Sequence, residues 1–149
     1  MKTIYLAGFD VFAPDAVQRG ARYKLLCAEN GFVGLYPLDH EADGAHQIFS
    51  GNCGLIDKAD IVIANLNPFR GAEPDSGTCF EVGYACAKGK KVYGYVDDVR
   101  TLRDRLGETD ADGFAVEDFG LPLNLMLACA ATIVHGDFAA ALAACAAEN

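Results

Sequence analysis

Short apolar runs alternate with segments of helical periodicity along this chain, and that alternation constrains the possible folds more than any other feature. The runs that predict strands are residues 3–7, 32–36, 61–64, 92–96 and 132–135. Their short length and apolar character are typical of strands buried on both faces, as in parallel sheets. Parallel neighbours need a crossover connection, so a helix is expected between successive strands.

The segments between these runs supply such helices. Helices are predicted at residues 15–29, about 48–59, 76–88, 121–131 and from 137 onward. The helix predicted at about 48–59 has four residues on one face: Ile48, Asn52, Leu55 and Ala59. Asn52 interrupts that apolar face. Residues 97–120 are charged and irregular, with a short helix expected near 99–106.

The alternation predicts an α/β fold. We expect a single-domain, flavodoxin-like (Rossmann-like) sandwich over residues 1–149, with a five-stranded parallel sheet of order 2-1-3-4-5 and helices on both faces. Folds of this kind bind ligands at the carboxyl ends of strands one, three and four. The loops that begin at Gly8, Asn65 and Asp97 are therefore expected to share one rim.

Composition opposes several classes of partner. With 21 acidic and 12 basic residues, the formal net charge is -9, which opposes binding to nucleic acid. The six cysteines include no C-x-x-C pair and only three histidines occur, so no metal site is predicted. No apolar run is long enough to span a membrane or resembles a secretory signal. We therefore expect a cytoplasmic protein with reduced thiols and no membrane partner.

Two carboxylates lie where the loop after strand three turns into a helix. Asp75 is placed to cap the first N–H groups of that helix, and Glu81 lies one to two turns inside it. Cleavage of a sugar–base bond passes through an oxocarbenium-like transition state. One carboxylate can stabilise or attack the anomeric carbon while a second carboxyl protonates the leaving base. The spacing alone is explained more simply if Asp75 is only a helix cap and Glu81 is a solvated helix residue, with no catalytic role for either. The small residues around Glu81 and the turn-rich loop before Asp75 favour a site.

The pair lies inside a longer motif. Residues 67–85 read NPFRGAEPDSGTCFEVGYA and resemble the signature of the nucleoside 2-deoxyribosyltransferases. The resemblance continues at residues 4–8, 52–56 and 120–126, and so spans nearly the whole chain. It implies an enzyme that transfers 2-deoxyribose between purine and/or pyrimidine bases, with a 2'-deoxynucleoside and a free nucleobase as partners and with no cofactor.

Carried onto this sequence, the resemblance implies specific roles. Glu81 matches the nucleophile of a covalent 2-deoxyribosyl intermediate formed with overall retention, and Tyr5 matches the hydroxyl that orients and tunes it. Asp75 matches the carboxyl that serves the base, and Asn52 stands where some members carry Asp for base contact. Asn124 matches a sugar contact supplied by a neighbouring subunit, which implies a homo-oligomer.

The rest of the predicted substrate-binding set is Gly8, Phe9, Gly77 and Met126. Without the motif, Tyr5 reads as a core aromatic, Asn52 as a local hydrogen-bonding residue and Asn124 as a first-turn helix residue. We interpret His40, His46 and His135 as ordinary loop, helix and strand-end residues rather than as metal ligands.

Other functions are weighed on the same residues. An N-hydrolase of the same superfamily would use the same glutamate but give the sugar to water, and the sequence leaves transfer or hydrolysis open, together with base preference. The loop after strand one contains Asp10 and Asp15 but no cation, which favours nucleosides over nucleotides. A flavodoxin-like receiver module would need an aspartate where Asn65 ends strand three. No G-x-G-x-x-G motif follows any predicted strand, so a dinucleotide-binding module is not predicted.

Overall fold

The computed structural model describes residues 1–149 and contains one parallel sheet. Its strands are β1 (Thr3–Ala7), β2 (Val33–Leu35), β3 (Ile61–Asn65), β4 (Lys91–Val96) and β5 (Thr132–His135). They lie in the order β2-β1-β3-β4-β5, which confirms the predicted topology. In this register Tyr5 of β1 lies beside Val62 of β3.

The helices are α1 (Ala16–Glu29), α2 (Ala45–Lys58), α3 (Ser76–Ala87), α4 (Leu102–Leu106), α5 (Leu125–Ala128) and α6 (Phe138–Glu148). Short 3-10 turns occupy Phe9–Phe12 and Pro37–Asp39. Helices α1 and α6 cover one face of the sheet, whereas α2, α3 and α5 cover the other. No helix is long and apolar enough to cross a membrane.

Each face of the sheet has its own hydrophobic core, because successive strand residues point to opposite sides. Ile4 and Ile63 pack with Phe138 of α6 on the first side. Tyr5 and Val62 pack on the second, against a cluster to which α3 contributes Val82 and Ala85. The double burial explains why the strands read as continuous apolar runs rather than as alternating ones.

Three predicted segments differ from the structure. The helix predicted over 121–131 is confined to Leu125–Ala128, because Asn124 has an extended backbone and caps the helix, its Oδ1 accepting from the Met126 N–H at 2.9 Å. The helix predicted near 99–106 begins only at Leu102, after a Thr101 cap. On α2 the predicted apolar face is wrong in part, since Ile48 is 47% exposed and Ile56 is the fully buried residue.

Candidate active site

A cavity of about 350 Å³ opens at the carboxyl edge of the sheet, on the side covered by α2 and α3. The turn after β1, the loop after β2, α2 and the start of α3 enclose it. Its lining residues are Gly8, Val11, Phe12, Pro37, Leu38, His40, Ala42, Ile48, Asn52, Asp75, Gly77 and Glu81. The cavity lies at the predicted edge of the sheet, but Asn65 and Asp97 of the predicted rim line a neighbouring cleft instead. Five of the nine predicted site residues line the cavity.

Glu81 lies in the second turn of α3 and lines the cavity. Its Oε2 accepts a hydrogen bond from the Tyr5 hydroxyl, which reaches up from β1. Burial raises the pKa of Glu81 to about 7; the bond from Tyr5 opposes this increase, and the negative charge of Asp75 adds to it. The pKa of Tyr5 is also raised, first by its own burial and then by Glu81. Tyr5 therefore stays protonated as a hydrogen-bond donor.

Asp75 caps α3 and lines the cavity at the same time. Its Oδ2 accepts from the Thr78 backbone N–H at 2.9 Å and from the Thr78 hydroxyl at 2.8 Å. Thr78 is completely buried, so this oxygen is fixed in place. The predicted cap is confirmed, and the second carboxyl oxygen takes part in no hydrogen bond within the chain. It is the oxygen available to a bound molecule.

Asn52 lines the cavity from α2 and is paired with a residue that sequence reasoning did not select. Its Oδ1 lies 3.1 Å from Nε2 of His40, which follows the Pro37–Asp39 turn. The ring of His40 lies directly over Gly51, where an added Cβ would come within 2.4 Å of it. Sequence reasoning had no signal for this pairing, because it depends on how the loop after β2 folds over α2.

Small residues keep the cavity floor open. A Cβ at Gly8 would lie 2.8 Å from both Asn65 Cβ and Asp10 Oδ2, so the chain turns closely past β3 at this point. Gly77 lines the cavity in the first turn of α3, between Asp75 and Glu81 in the sequence. Both glycines were predicted as site residues.

Phe9 lies outside the cavity. Its ring stacks on Phe69 with centroids 4.8 Å apart and lines a neighbouring cleft with Asp10. Phe12, one turn of 3-10 helix later, lines the cavity instead and stacks on the same Phe69 ring at 5.7 Å. The two phenylalanines could not be distinguished in sequence because the 3-10 turn was not predicted.

Asn124 and Met126 are also placed away from this chain's own cavity. Asn124 is exposed and its side-chain oxygen caps α5, while Met126 is 73% exposed. Neither residue lines the cavity that holds Glu81. No cluster of three or more His, Cys, Asp or Glu side chains is arranged to hold a metal ion.

The fold and the cavity define a class of protein: a flavodoxin-like α/β chain with a buried carboxylate and a capping carboxylate in one pocket. The sequence model of the family "Nucleoside 2-deoxyribosyltransferase" matches residues 4–126. This match covers most of the sequence, including both carboxylates. The chain belongs to the nucleoside 2-deoxyribosyltransferase family.

Three relatives resemble the chain to different degrees. A 2-desoxiribosyltransferase from Leishmania mexicana superposes with a TM-score of 0.92 at 41% identity, covering 100% of this chain and 99% of that one. A CMP N-glycosidase of Clostridium botulinum shares the fold, with a TM-score of 0.56 at 18% identity over 97% of this chain and 98% of its own. An uncharacterized protein of Schizosaccharomyces pombe is 32% identical over 114 residues, 69% of this chain. The chain spans 54% of that relative's length.

Proposed function

We propose that this protein is a nucleoside 2-deoxyribosyltransferase that moves 2-deoxyribose from a 2'-deoxynucleoside to a second free base through a glycosyl-Glu81 intermediate. The observation that carries the proposal is the Tyr5–Glu81 hydrogen bond at a cavity that also holds the free oxygen of Asp75. One carboxylate is available to the sugar and another to the base. Family membership supports the same assignment.

In the first step an oxygen of ionised Glu81 bonds to the anomeric carbon of the nucleoside. The bond between that carbon and the base nitrogen breaks, and its electron pair leaves with the base. Tyr5 donates its hydrogen bond to the carboxylate and so orients the attacking oxygen. The buried setting of Glu81 leaves the carboxylate poorly hydrated, which increases its reactivity toward a developing cation.

In the reactive state Glu81 is ionised and the free oxygen of Asp75 carries a proton, which the leaving base takes while the other Asp75 oxygen stays fixed by Thr78. In the second step a new base attacks the anomeric carbon, the glycosyl-Glu81 bond breaks, and the proton returns to Asp75. Two inversions at the same carbon give overall retention. The exchange therefore needs no additional reactant.

The complete site also requires a second copy of the chain. Asn124 is exposed and does not reach the cavity of its own chain, and we assign it to a sugar contact in the cavity of a neighbouring subunit. Apolar surface supports this homo-oligomer: Phe49, Phe80 and Met126 are 51%, 49% and 73% exposed on the helices that cover the active-site face. Exposed apolar surface of this kind is typical of protein–protein contacts.

A hydrolase is the second candidate, because the fold is shared with the CMP N-glycosidase. Hydrolysis would use the same Glu81 and replace the second base by water. A nucleotide substrate is disfavoured, since the cavity lining contains acidic side chains but no lysine or arginine to bind a phosphate.

Incubation with deoxyinosine and free adenine separates these functions. The proposal predicts deoxyadenosine as the product, detected by chromatography, whereas release of free deoxyribose without deoxyadenosine would establish the hydrolase. Glu81→Ala should lower either activity by about a thousandfold or more, the usual cost of losing a covalent nucleophile. Glu73→Ala is the matched control, because Glu73 is an exposed carboxylate in the preceding loop that does not line the cavity.

A further inference from the structure

One wall of the cavity carries a hydrogen-bonded pair that the steps above do not use. His40 Nε2 and Asn52 Oδ1 lie 3.1 Å apart, and both residues line the cavity. The close fit of the His40 ring over Gly51 holds the ring against the backbone of α2. The pair is therefore a built feature of the wall rather than a chance surface contact.

The pair has two arrangements, which differ in the tautomer of His40 and in the exchange of Oδ1 and Nδ2 of Asn52. When Nε2 of His40 carries a hydrogen it donates to Oδ1 of Asn52, which leaves the amide NH2 group for a ligand. When the ring hydrogen is on Nδ1, Nε2 accepts from Nδ2 of an amide turned by half a rotation, and Oδ1 is left for the ligand. The tautomer of His40 thus decides whether Asn52 presents mainly a donor or mainly an acceptor.

Purine bases of two kinds match these two arrangements. A 6-oxopurine presents an acceptor at O6 and a donor at N1, whereas a 6-aminopurine presents a donor at N6 and an acceptor at N1. A side-chain amide, with one donor end and one acceptor end, complements either edge after a half rotation. An enzyme that exchanges one kind of base for the other needs such a reversible partner.

We propose that His40 is a positioning residue whose ring tautomer sets the orientation of the Asn52 amide, so that one cavity takes both 6-oxopurines and 6-aminopurines. This inference rests on the proposed function and names the substrate class of the same site. His40 acts on the base through Asn52. Protonation of His40 gives Nε2 a permanent hydrogen, which fixes the Asn52 NH2 group toward the ligand and favours the 6-oxopurine.

Other charged groups surround His40. The acidic residues of its own loop and of the cavity are Asp39, Glu41, Asp43, Asp75 and Glu81. Lys24 pairs with Asp39 from α1. Ionisation of these groups affects both purine substrates in the same cavity. A change with pH in the ratio of kcat/KM for deoxyinosine to kcat/KM for deoxyadenosine that is present in the parent and absent in His40→Phe is therefore the contribution of His40.

The test measures this ratio from about pH 8 to about pH 5.5, the range in which histidine changes charge. In the parent protein the ratio should rise as the pH falls. His40→Phe keeps an aromatic ring over Gly51 but makes no hydrogen bond, and should lower both kcat/KM values by about fivefold to tenfold and leave the ratio independent of pH. His46→Phe is the matched control, because His46 is exposed on α2 outside the cavity and should leave the ratio unchanged.

Two further variants distinguish positioning from a structural role. His40→Gln supplies a donor and an acceptor without titrating, and should restore both kcat/KM values to within a few-fold while the ratio stays independent of pH. In an Asn52→Leu background, His40→Phe should add no further loss, because its effect passes through the amide.

A pH-independent ratio in a parent that does exchange bases would overturn the inference and leave the proposed function intact. An undiminished effect of His40→Phe in the Asn52→Leu background would do the same. Failure of the parent to exchange any base would instead overturn the proposed function, and the inference with it.

Discussion

At neutral pH the Glu81 carboxyl is divided between its two protonation states, because burial raises its pKa to about 7. In the proposed mechanism only the ionised form attacks the sugar. The Tyr5 hydrogen bond favours that form, while burial and the charge of Asp75 oppose it. Burial and the charge of Asp75 thus raise the pKa of Glu81, and the hydrogen bond from Tyr5 alone lowers it.

Removal of the Tyr5 hydroxyl should shift the pH dependence of catalysis. Tyr5→Phe removes the contact that lowers the pKa of Glu81, so the acid limb of kcat/KM should move to higher pH by about one unit. Activity at pH 7 should fall by about tenfold or more. Tyr93→Phe, which removes a partly buried hydroxyl bonded to Glu148 away from the cavity, should leave the profile in place. An unmoved acid limb in Tyr5→Phe would contradict the role of Tyr5.

The buried carboxyl of Glu81 should also reduce stability at high pH. Its pKa is 4.5 when unperturbed and about 7 in the fold, so the folded protein keeps a proton that the unfolded chain loses between these values. The cost of the buried charge therefore develops as the pH rises through this range. Glu81→Gln should increase the free energy of unfolding by roughly 3 kcal/mol at pH 8 and by little at pH 4, as measured by urea denaturation. Equal effects at both pH values would show that the charge is not the cause.

At the start of helix α3, one residue both caps the helix and has a proposed catalytic role. Asp75 begins the helix through its bonds to Thr78, and the same side chain lines the cavity. An asparagine at this position keeps an acceptor oxygen for the cap but cannot carry the catalytic proton. The two roles of the side chain are therefore separable by substitution.

Asp75→Asn should lower kcat strongly with little change in unfolding free energy, whereas Asp75→Ala should lower kcat and also destabilise the protein by about 1 kcal/mol. Urea denaturation and steady-state kinetics on the same preparations measure both effects. Asp137→Ala is a matched control, since Asp137 caps α6 through the Ala140 N–H without lining the cavity. It should cost similar stability and no kcat. Full activity in Asp75→Asn would refute the proton-transfer role.

The elements differ in how far the sequence predicts them. The start of α3 could be predicted because the capping residue Asp75 is only three residues from Thr78, whose N–H it binds. The helix expected at 121–131 was too long, because Asn124 has a non-helical backbone and caps α5, and Leu123 before it is buried in the core. His40 was assigned to an ordinary loop, since its partner Asn52 is reached only through the tertiary fold. Local signals thus predicted the two carboxylates but not the pairing of His40 with Asn52.

At the scale of the whole molecule, the sheet order followed from the alternation of strands and helices, because buried parallel strands leave few other connections. The proposed subunit contact lies beyond one chain. Mixing Glu81→Ala with Asn124→Ala subunits tests it: each variant alone should be nearly inactive, while a mixed oligomer contains a cavity with an intact Glu81 and an intact Asn124. Activity should therefore reappear on mixing and co-refolding. No recovery in oligomers shown to be mixed would place Asn124 outside the neighbouring site.

The covalent step is the central claim, and rapid quenching with deoxyinosine in the absence of an acceptor base tests it most directly. Mass spectrometry of the digested protein should find one 2-deoxyribosyl group added to the peptide that contains Glu81, and later addition of adenine should remove it as deoxyadenosine. Glu81→Gln should show no adduct. A parent protein that turns over deoxyinosine without any adduct, or with the sugar on another residue, would contradict the account.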